Sequence, residues 1–266
     1  YAGQVIVTKG TALQTVTTGE DGKAAYTLDL PIANSYYISE TQAPYGYIRN
    51  SSDVYSFNFN YLSETTPKAT FAHTFENDRT TAKIHIFKMD KETCVAIPQG
   101  DASLEGAVYG LYARNDIVHP DGATGVVFKA GDLIATLTTD KYGEAEVDNL
   151  YLGNYYVKEI TPSEGYLLDE EEHDLVCDYE GDMVAEVSRS TTSMEQVIKQ
   201  PFQLIKVSDN GEDTEAPLLS GAGFTAYLKS SLSVKEDGSY DFESATPVII
   251  GADGKTEIFS NEKGHV

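Results

Sequence analysis

Short runs of β-branched and aromatic residues, separated by turn residues, recur along the whole chain. Residues 36–38 (YYI), 84–87 (IHIF) and 155–157 (YYV) are such runs, and Gly, Asp, Asn or Pro residues lie between them. Asp-Gly pairs, which favour tight turns, occur at residues 21–22, 121–122, 237–238 and 253–254. No long helical period interrupts this pattern. The pattern therefore predicts an all-β protein of sandwich type.

An internal repeat of about 118 residues is the second pattern. The matched segments are residues 17–22 with 138–143, 34–40 with 153–159, 84–88 with 202–206, and 104–109 with 219–224. We therefore predict tandem Ig-like sandwiches, each with its own core. Residues 1–80 would be the C-terminal part of a first copy, residues 81–199 a complete copy, and residues 200–266 the N-terminal part of a third.

Polar residues end several of the apolar rows that alternation places on one face of a strand. These residues are Lys88, Glu159, Lys206, Glu40 and Asn77. One such residue is most simply a strand end that reaches solvent, or half of a surface ion pair. These residues recur at matching positions of the copies, which favours a functional reason for their burial. An unpaired buried Lys or Glu costs several kcal/mol or becomes neutral.

The recurring residues also resemble a known family. The motifs are Lys-x-Asp at residues 88–90, Leu-x-Gly-Ala-x-Tyr at 104–109, Thr-Asp-x-x-Gly at 139–143 and Glu-x-x-Ala-Pro-x-Gly-Tyr at 40–47. They are similar to motifs of the Cna-B/SpaA-type prealbumin-like domains, which build the stalks and pilins of Gram-positive surface proteins. In that family a lysine on the first strand joins an Asn or Asp on the last strand through an isopeptide bond, assisted by a buried Glu. The resemblance covers essentially the whole chain.

The resemblance implies roles for the polar residues above. Lys88 and Lys206 would be nucleophiles, Glu40 and Glu159 the assisting carboxyls, and Asn77 an acceptor. An apolar core lowers the pKa of a lysine and raises that of a glutamate, which suits both roles, and packing supplies the effective concentration. The reaction would be a single autocatalytic event, so we do not expect an enzyme that turns over a substrate.

The acceptor of the complete copy departs from the family pattern. Matching residues 76–77 to residues 195–196 makes Gln196 the counterpart of Asn77, one methylene longer than the family's Asn. One hypothesis is that Lys88 forms no covalent bond and instead pairs ionically with Glu159 or Glu195. The sequence leaves both outcomes open.

Charge narrows the possible partners. The 266 residues include 19 Lys and Arg against 42 Asp and Glu, which gives a formal net charge of −23. Such a chain would repel nucleic acid and anionic membrane surfaces. No run approaches the roughly 18 apolar residues that span a bilayer. We therefore expect neither nucleic-acid binding nor membrane insertion in this segment.

Metal and redox signals are weak. Cys94 and Cys177 lack the spacing of a zinc site, although the fold could still bring them together. The five His residues are scattered, and the acidic run at residues 169–174 (DEEEHD) lacks the alternation and glycine of a calcium loop. We expect no cofactor and no metal.

Together the patterns and the resemblance imply a stalk or spacer in an adhesin or pilus-like protein. It would be extracellular and attached to the cell wall, with its signal peptide and anchor outside this segment, and its partners would be neighbouring repeats. A second interpretation is a module that binds a host matrix protein or glycan, for which we expect a contiguous exposed aromatic patch. An enzyme is disfavoured because no common catalytic motif occurs.

Overall fold

The computed structural model describes residues 8–27, 30, 33–59, 63, 65, 70–209, 216–249 and 254–266. The regular structure is β apart from one short 3-10 helix at Lys229–Ser231 in the described part. The all-β prediction is therefore confirmed. Within these residues, no helix has the length and apolar character needed to cross a bilayer. The chain divides into two compact units: unit 1 contains Tyr1–Thr81 and Tyr179–Val187, and unit 2 contains Ala82–Asp178 and Ser188–Val266.

Unit 1 contains an antiparallel pair of strands, β1 (Ala33–Ser39) and β2 (Val54–Phe59). Aromatic residues line one face of the pair, and Phe57 stacks on Phe71 with ring centroids 4.7 Å apart. Such rows bury apolar area on one face while the alternate residues meet solvent.

The segment Tyr179–Val187 belongs to unit 1, although it lies about a hundred residues further along the chain. Its Asp182 accepts a hydrogen bond from the Ala43 amide at 3.1 Å through Oδ2. The Asp182 carbonyl accepts another from the Arg49 amide at 2.8 Å. The loop that follows β1 is therefore held by a distant part of the chain.

Residues 81–199 form two sheets. Their strands are β3 (Thr81–Asp90), β4 (Val108–Ala113), β5 (Ile117–Val118), β6 (Val126–Phe128), β7 (Leu133–Thr138), β8 (Glu144–Leu150), β9 (Gly153–Thr161), β10 (Glu172–Cys177) and β11 (Glu186–Glu195). One sheet has the strand order β10-β9-β4-β7 and the other β11-β3-β8, while β5 and β6 form a separate pair.

The two sheets pack as a sandwich. Every second residue of β3 from Ala82 to Asp90 is buried, and Tyr109 and Leu111 of the opposite sheet are also buried. Each large apolar side chain that is fully buried contributes roughly 1.5–3 kcal/mol. The sandwich prediction is confirmed, and the alternation in β3 carries Lys88 inward with the apolar residues.

Strands β3 and β11 are adjacent and parallel. The Thr81 amide donates to the Ala185 carbonyl at 3.0 Å, and ten residues later the Lys91 amide donates to the Glu195 carbonyl at 2.9 Å. The register is therefore constant along both strands. The first and last strands of residues 81–199 consequently begin together and end together.

Residues 200–266 contain short strand pairs: β12 (Gly223–Thr225) with β15 (Glu257–Phe259), and β13 (Ser233–Val234) with β14 (Tyr240–Asp241). Phe202 and Leu204, the apolar residues that alternation places on the same face as Lys206, are 60% and 39% exposed. The described residues of this segment include no counterpart of β9, which lies in the opposite sheet in residues 81–199, and none of β11, which lies beside β3. The apolar row is present, but its cover is not.

The cysteines and acidic groups of the described residues carry no metal site or disulfide. Cys94 is exposed and Cys177 is buried, and no disulfide joins these two described residues. Across the described ranges, no cluster of three or more His, Cys, Asp or Glu residues has the arrangement of a metal site. In this structure, Cys94 and Cys177 are therefore not paired with each other.

Candidate functional site

A buried lysine lies between two buried glutamates inside the sandwich. Lys88 of β3 is 0% exposed, and its Nζ lies 3.5 Å from Oε1 of Glu159 on β9. The same Nζ contacts Oε2 of Glu195, the last residue of β11. The Tyr166 ring covers the ammonium group, with Nζ 4.7 Å from the ring centroid. Three strands from both sheets therefore meet at one amine.

Burial changes the protonation of this group. Burial removes the amine from solvent and so lowers the pKa of Lys88 to about 8, although the nearby Glu159 charge opposes the shift. Burial likewise raises the pKa of Glu159, opposed by the Asp169 amide and by Lys88. The Asp169 amide donates to Glu159 Oε2 at 2.8 Å. Both shifts increase the fraction of the uncharged forms, which are a free amine and a protonated carboxyl.

The second oxygen of Glu195 faces two hydroxyl groups. The Tyr109 hydroxyl donates a hydrogen bond to Glu195 Oε1, and Ser193 Oγ lies 3.3 Å from the same oxygen. Burial raises the pKa of Tyr109 far above its usual range, so this phenol keeps its proton. The carboxyl of Glu195 is thus held on both sides, by the amine at Oε2 and by hydroxyls at Oε1.

The first copy holds a related pair, a carboxyl and an amide. Asn77 Nδ2 donates to Glu40 Oε2 at 2.7 Å and to the Ile48 carbonyl at 2.9 Å. Glu40 and Asn77 are half-buried. The structure therefore brings together the two residues of the first copy that the resemblance named as assisting carboxyl and acceptor.

Backbone contacts show which residue of the middle copy corresponds to Asn77. Equivalent isolated bridges join Tyr47 to Arg79 and Tyr166 to Val197. Asn77 lies two residues before Arg79, and Glu195 lies two residues before Val197. The structural counterpart of Asn77 is therefore Glu195, which differs by one residue from the sequence match that selected Gln196.

Gln196 lies outside the buried cluster. Alternation turns its side chain to the opposite face of the strand from Glu195, and its Nε2 donates to Glu92 Oε1 at 2.7 Å. The structure therefore brings Lys88 and Glu159 together but does not bring Gln196 to them. The number of residues that separates equivalent positions of the two copies is smaller by one at the last strand than at the Tyr166 turn. Only the pairing of the strands reveals this difference.

Lys206 keeps the backbone environment of Lys88. The Lys206 amide donates to the Gly264 carbonyl at 2.7 Å, as the Lys88 amide donates to the Gly143 carbonyl at 2.7 Å. The Lys206 side chain is half-buried. Among the described residues, none forms an ion pair with it, so the structure does not assemble a second complete cluster there.

Sequence reasoning missed Tyr109 and Ser193. Tyr109 belongs to the Leu-x-Gly-Ala-x-Tyr motif and could be read as a core residue. Ser193 lies two residues before Glu195, and therefore on the same face of β11, which was the available signal.

The fold and these motifs agree with a comparison to known families. The family model described as the SpaA prealbumin-like fold domain matches residues 3–73 and 82–191. The chain belongs to this family. The resemblance inferred from the motifs is therefore confirmed. No curated protein sequence matches this SpaA-type chain significantly.

The SpaA-type chain is also similar to solved structures, one of which shares its fold. The structure of the Bacillus anthracis TIE protein is 21% identical, with a TM-score of 0.54 over 95% of this chain. This chain spans 37% of the length of that structure. The group B streptococcus pilus 2b backbone protein is 18% identical, with a TM-score of 0.33, and the match covers 67% of this chain and 54% of that one.

Proposed function

We propose that this SpaA-type chain is a series of structural stalk repeats in a Gram-positive surface protein of the adhesin or pilus type. We further propose that an isopeptide bond between Lys88 and Glu195 closes the middle repeat. Family membership and the sandwich fold support the structural role. The contact between Lys88 Nζ and Glu195 Oε2, both fully buried side chains, carries the proposal of a bond.

The bond would form by loss of water. The neutral Lys88 amine attacks Cδ of Glu195, so that the Nζ–Cδ bond forms and the Cδ–Oε2 bond breaks. Glu159, protonated at the start, gives its proton to Oε2, then removes one proton from Nζ and passes it to the same oxygen, which leaves as water. Counted from the ammonium and carboxylate forms, the products are one amide and one water. The lowered pKa of Lys88 and the raised pKa of Glu159 support these roles.

The same reasoning extends to the partial copies. We propose the repeat boundaries 1–80, 81–199 and 200–266, with Glu40 and Asn77 as assisting carboxyl and acceptor of the first repeat. Lys206 would be the nucleophile of the third. The partners of this segment would be neighbouring repeats, and the parent protein would be extracellular and attached to the cell wall.

Intact mass spectrometry of the purified chain tests the bond. The expected mass is that of the sequence minus one water, and tryptic digestion should yield a branched peptide that joins Lys88 to Glu195. Lys88→Met, which keeps an unbranched buried side chain, should restore the full mass. A wild-type chain at full mass without a branched peptide would show that Lys88 is held by an ion pair instead.

A further inference from the structure

The two oxygens of the Glu195 carboxyl have different surroundings. Oε2 contacts the amine of Lys88, while Oε1 accepts the hydrogen bond of the Tyr109 hydroxyl and lies 3.3 Å from Ser193 Oγ. A free carboxyl has two chemically equivalent oxygens. The surroundings therefore distinguish the two oxygens.

Tyr109 is fixed in the position from which it donates. Its backbone lies in the middle of a sheet, where it pairs with Leu137 on one side and with Glu159 on the other. Its side chain is buried. A buried phenol needs a protein acceptor for its one proton, and Glu195 Oε1 accepts it.

Ser193 can supply a second donor. Its Oγ lies 3.1 Å from Asp169 Oδ2 and 3.3 Å from Glu195 Oε1, but a serine hydroxyl has only one proton. The hydroxyl can therefore turn from Asp169 to Glu195 when Oε1 gains negative charge. The Asp169 backbone amide also donates a hydrogen bond to Glu159. Asp169 therefore contacts both the Ser193 hydroxyl and the assisting carboxyl.

The first copy lacks this feature at the corresponding position. Because Asn77 corresponds to Glu195, Phe75 corresponds to Ser193. An amide acceptor has one oxygen and one nitrogen, so the leaving atom is already determined by its chemistry. A hydroxyl beside the acceptor is found where the acceptor is a carboxyl, and a phenyl ring where it is an amide.

We infer that the hydroxyls of Tyr109 and Ser193 form an oxyanion site that adapts this repeat to a glutamate acceptor. They stabilise Oε1 as it becomes the oxyanion of the tetrahedral intermediate and then the carbonyl oxygen of the amide. Oε2 accordingly departs as water. This inference rests on the proposed cross-link and names two further residues for it.

Time-resolved mass spectrometry during refolding tests the inference. The full chain is recovered unfolded and at full mass from inclusion bodies, refolded, and sampled for the loss of water. Tyr109→Phe should slow bond formation about 10²- to 10³-fold, as the loss of one oxyanion donor does in other sites, and Ser193→Ala should slow it about tenfold. Tyr155→Phe is the matched control, because it deletes a buried tyrosine hydroxyl that bonds the Tyr151 carbonyl instead.

The outcomes separate the inference from the proposed function. A wild-type chain that never loses water overturns the cross-link and the oxyanion site together. A wild-type chain that loses water at the same rate as Tyr109→Phe overturns the oxyanion site alone. Slow but complete reaction of Tyr109→Phe, with unchanged circular dichroism, supports the inference. If Tyr109→Phe does not fold, Ser193→Ala decides: a rate equal to wild type overturns the inference.

Discussion

Lys88 lies on β3 and Glu195 on β11, which are neighbours in one sheet and the first and last of its strands in chain order. Their side chains are fully buried and in contact. Because β3 and β11 are parallel neighbours, a bond at this point would join the beginning and the end of the repeat directly. Tension applied at residue 81 and at residue 195 would pass through the bond. The residues between Lys88 and Glu195 would carry none of it.

Single-molecule stretching should detect this shielding. In the wild-type chain, the segment between Lys88 and Glu195 should not extend. In Lys88→Met, its unfolding should release roughly 35 nm of contour length, at about 3.4 Å per residue. An equal extension of both chains in force spectroscopy would contradict the bond.

The identity of the acceptor can be tested by substitution. Glu195→Ala should abolish the loss of water, whereas Gln196→Ala should leave it unchanged because Gln196 bonds Glu92 on the other face. The measurement is intact mass. A loss of ammonia that disappears in Gln196→Ala would instead restore Gln196 as the acceptor.

Bond formation should depend on pH through Lys88. The shift of its pKa from 10.5 to about 8 increases the neutral fraction at pH 7 about 300-fold. Below pH 8 that fraction still falls about tenfold per pH unit. Where Glu159 remains protonated, on the acid side, the rate of water loss during refolding should therefore rise with pH. A rate that rises with pH nowhere below pH 8 would argue against attack by a free amine.

Gly143 supports the strand that carries Lys88. Its φ is +78°, and an added Cβ would lie 2.7 Å from the Lys88 carbonyl oxygen. Gly143→Ala should lower the free energy of unfolding by about 2–4 kcal/mol, from strain and displacement combined. Gly122→Ala is the control, since Gly122 has a φ of +69° with no atom within 4 Å of the added Cβ, and should cost about 1 kcal/mol.

Urea unfolding curves of the two glycine variants provide the comparison. Equal losses at both positions would mean that the contact with the Lys88 carbonyl has no energetic effect.

Local patterns in the sequence predicted much of the site. Period-two alternation predicted that Lys88 and Glu159 share faces with apolar residues, and the structure buries both. The acceptor could not be identified in this way, because its position depends on the register between distant strands. One missing residue shifts that register without any change in composition. The hydroxyl of Tyr109 could not be recognised as a donor, because its acceptor is 86 residues away.

Unit 1 also has a consequence for synthesis on the ribosome. The Ala43 amide finds its acceptor in Asp182, 139 residues later. At the elongation rate of bacterial ribosomes, of the order of 5–20 residues per second, the loop after β1 would wait at least about seven seconds for that contact. Unit 1 therefore stays incomplete while residues 82–178 of unit 2 are synthesised, and it can close only when residues 179–187 have followed.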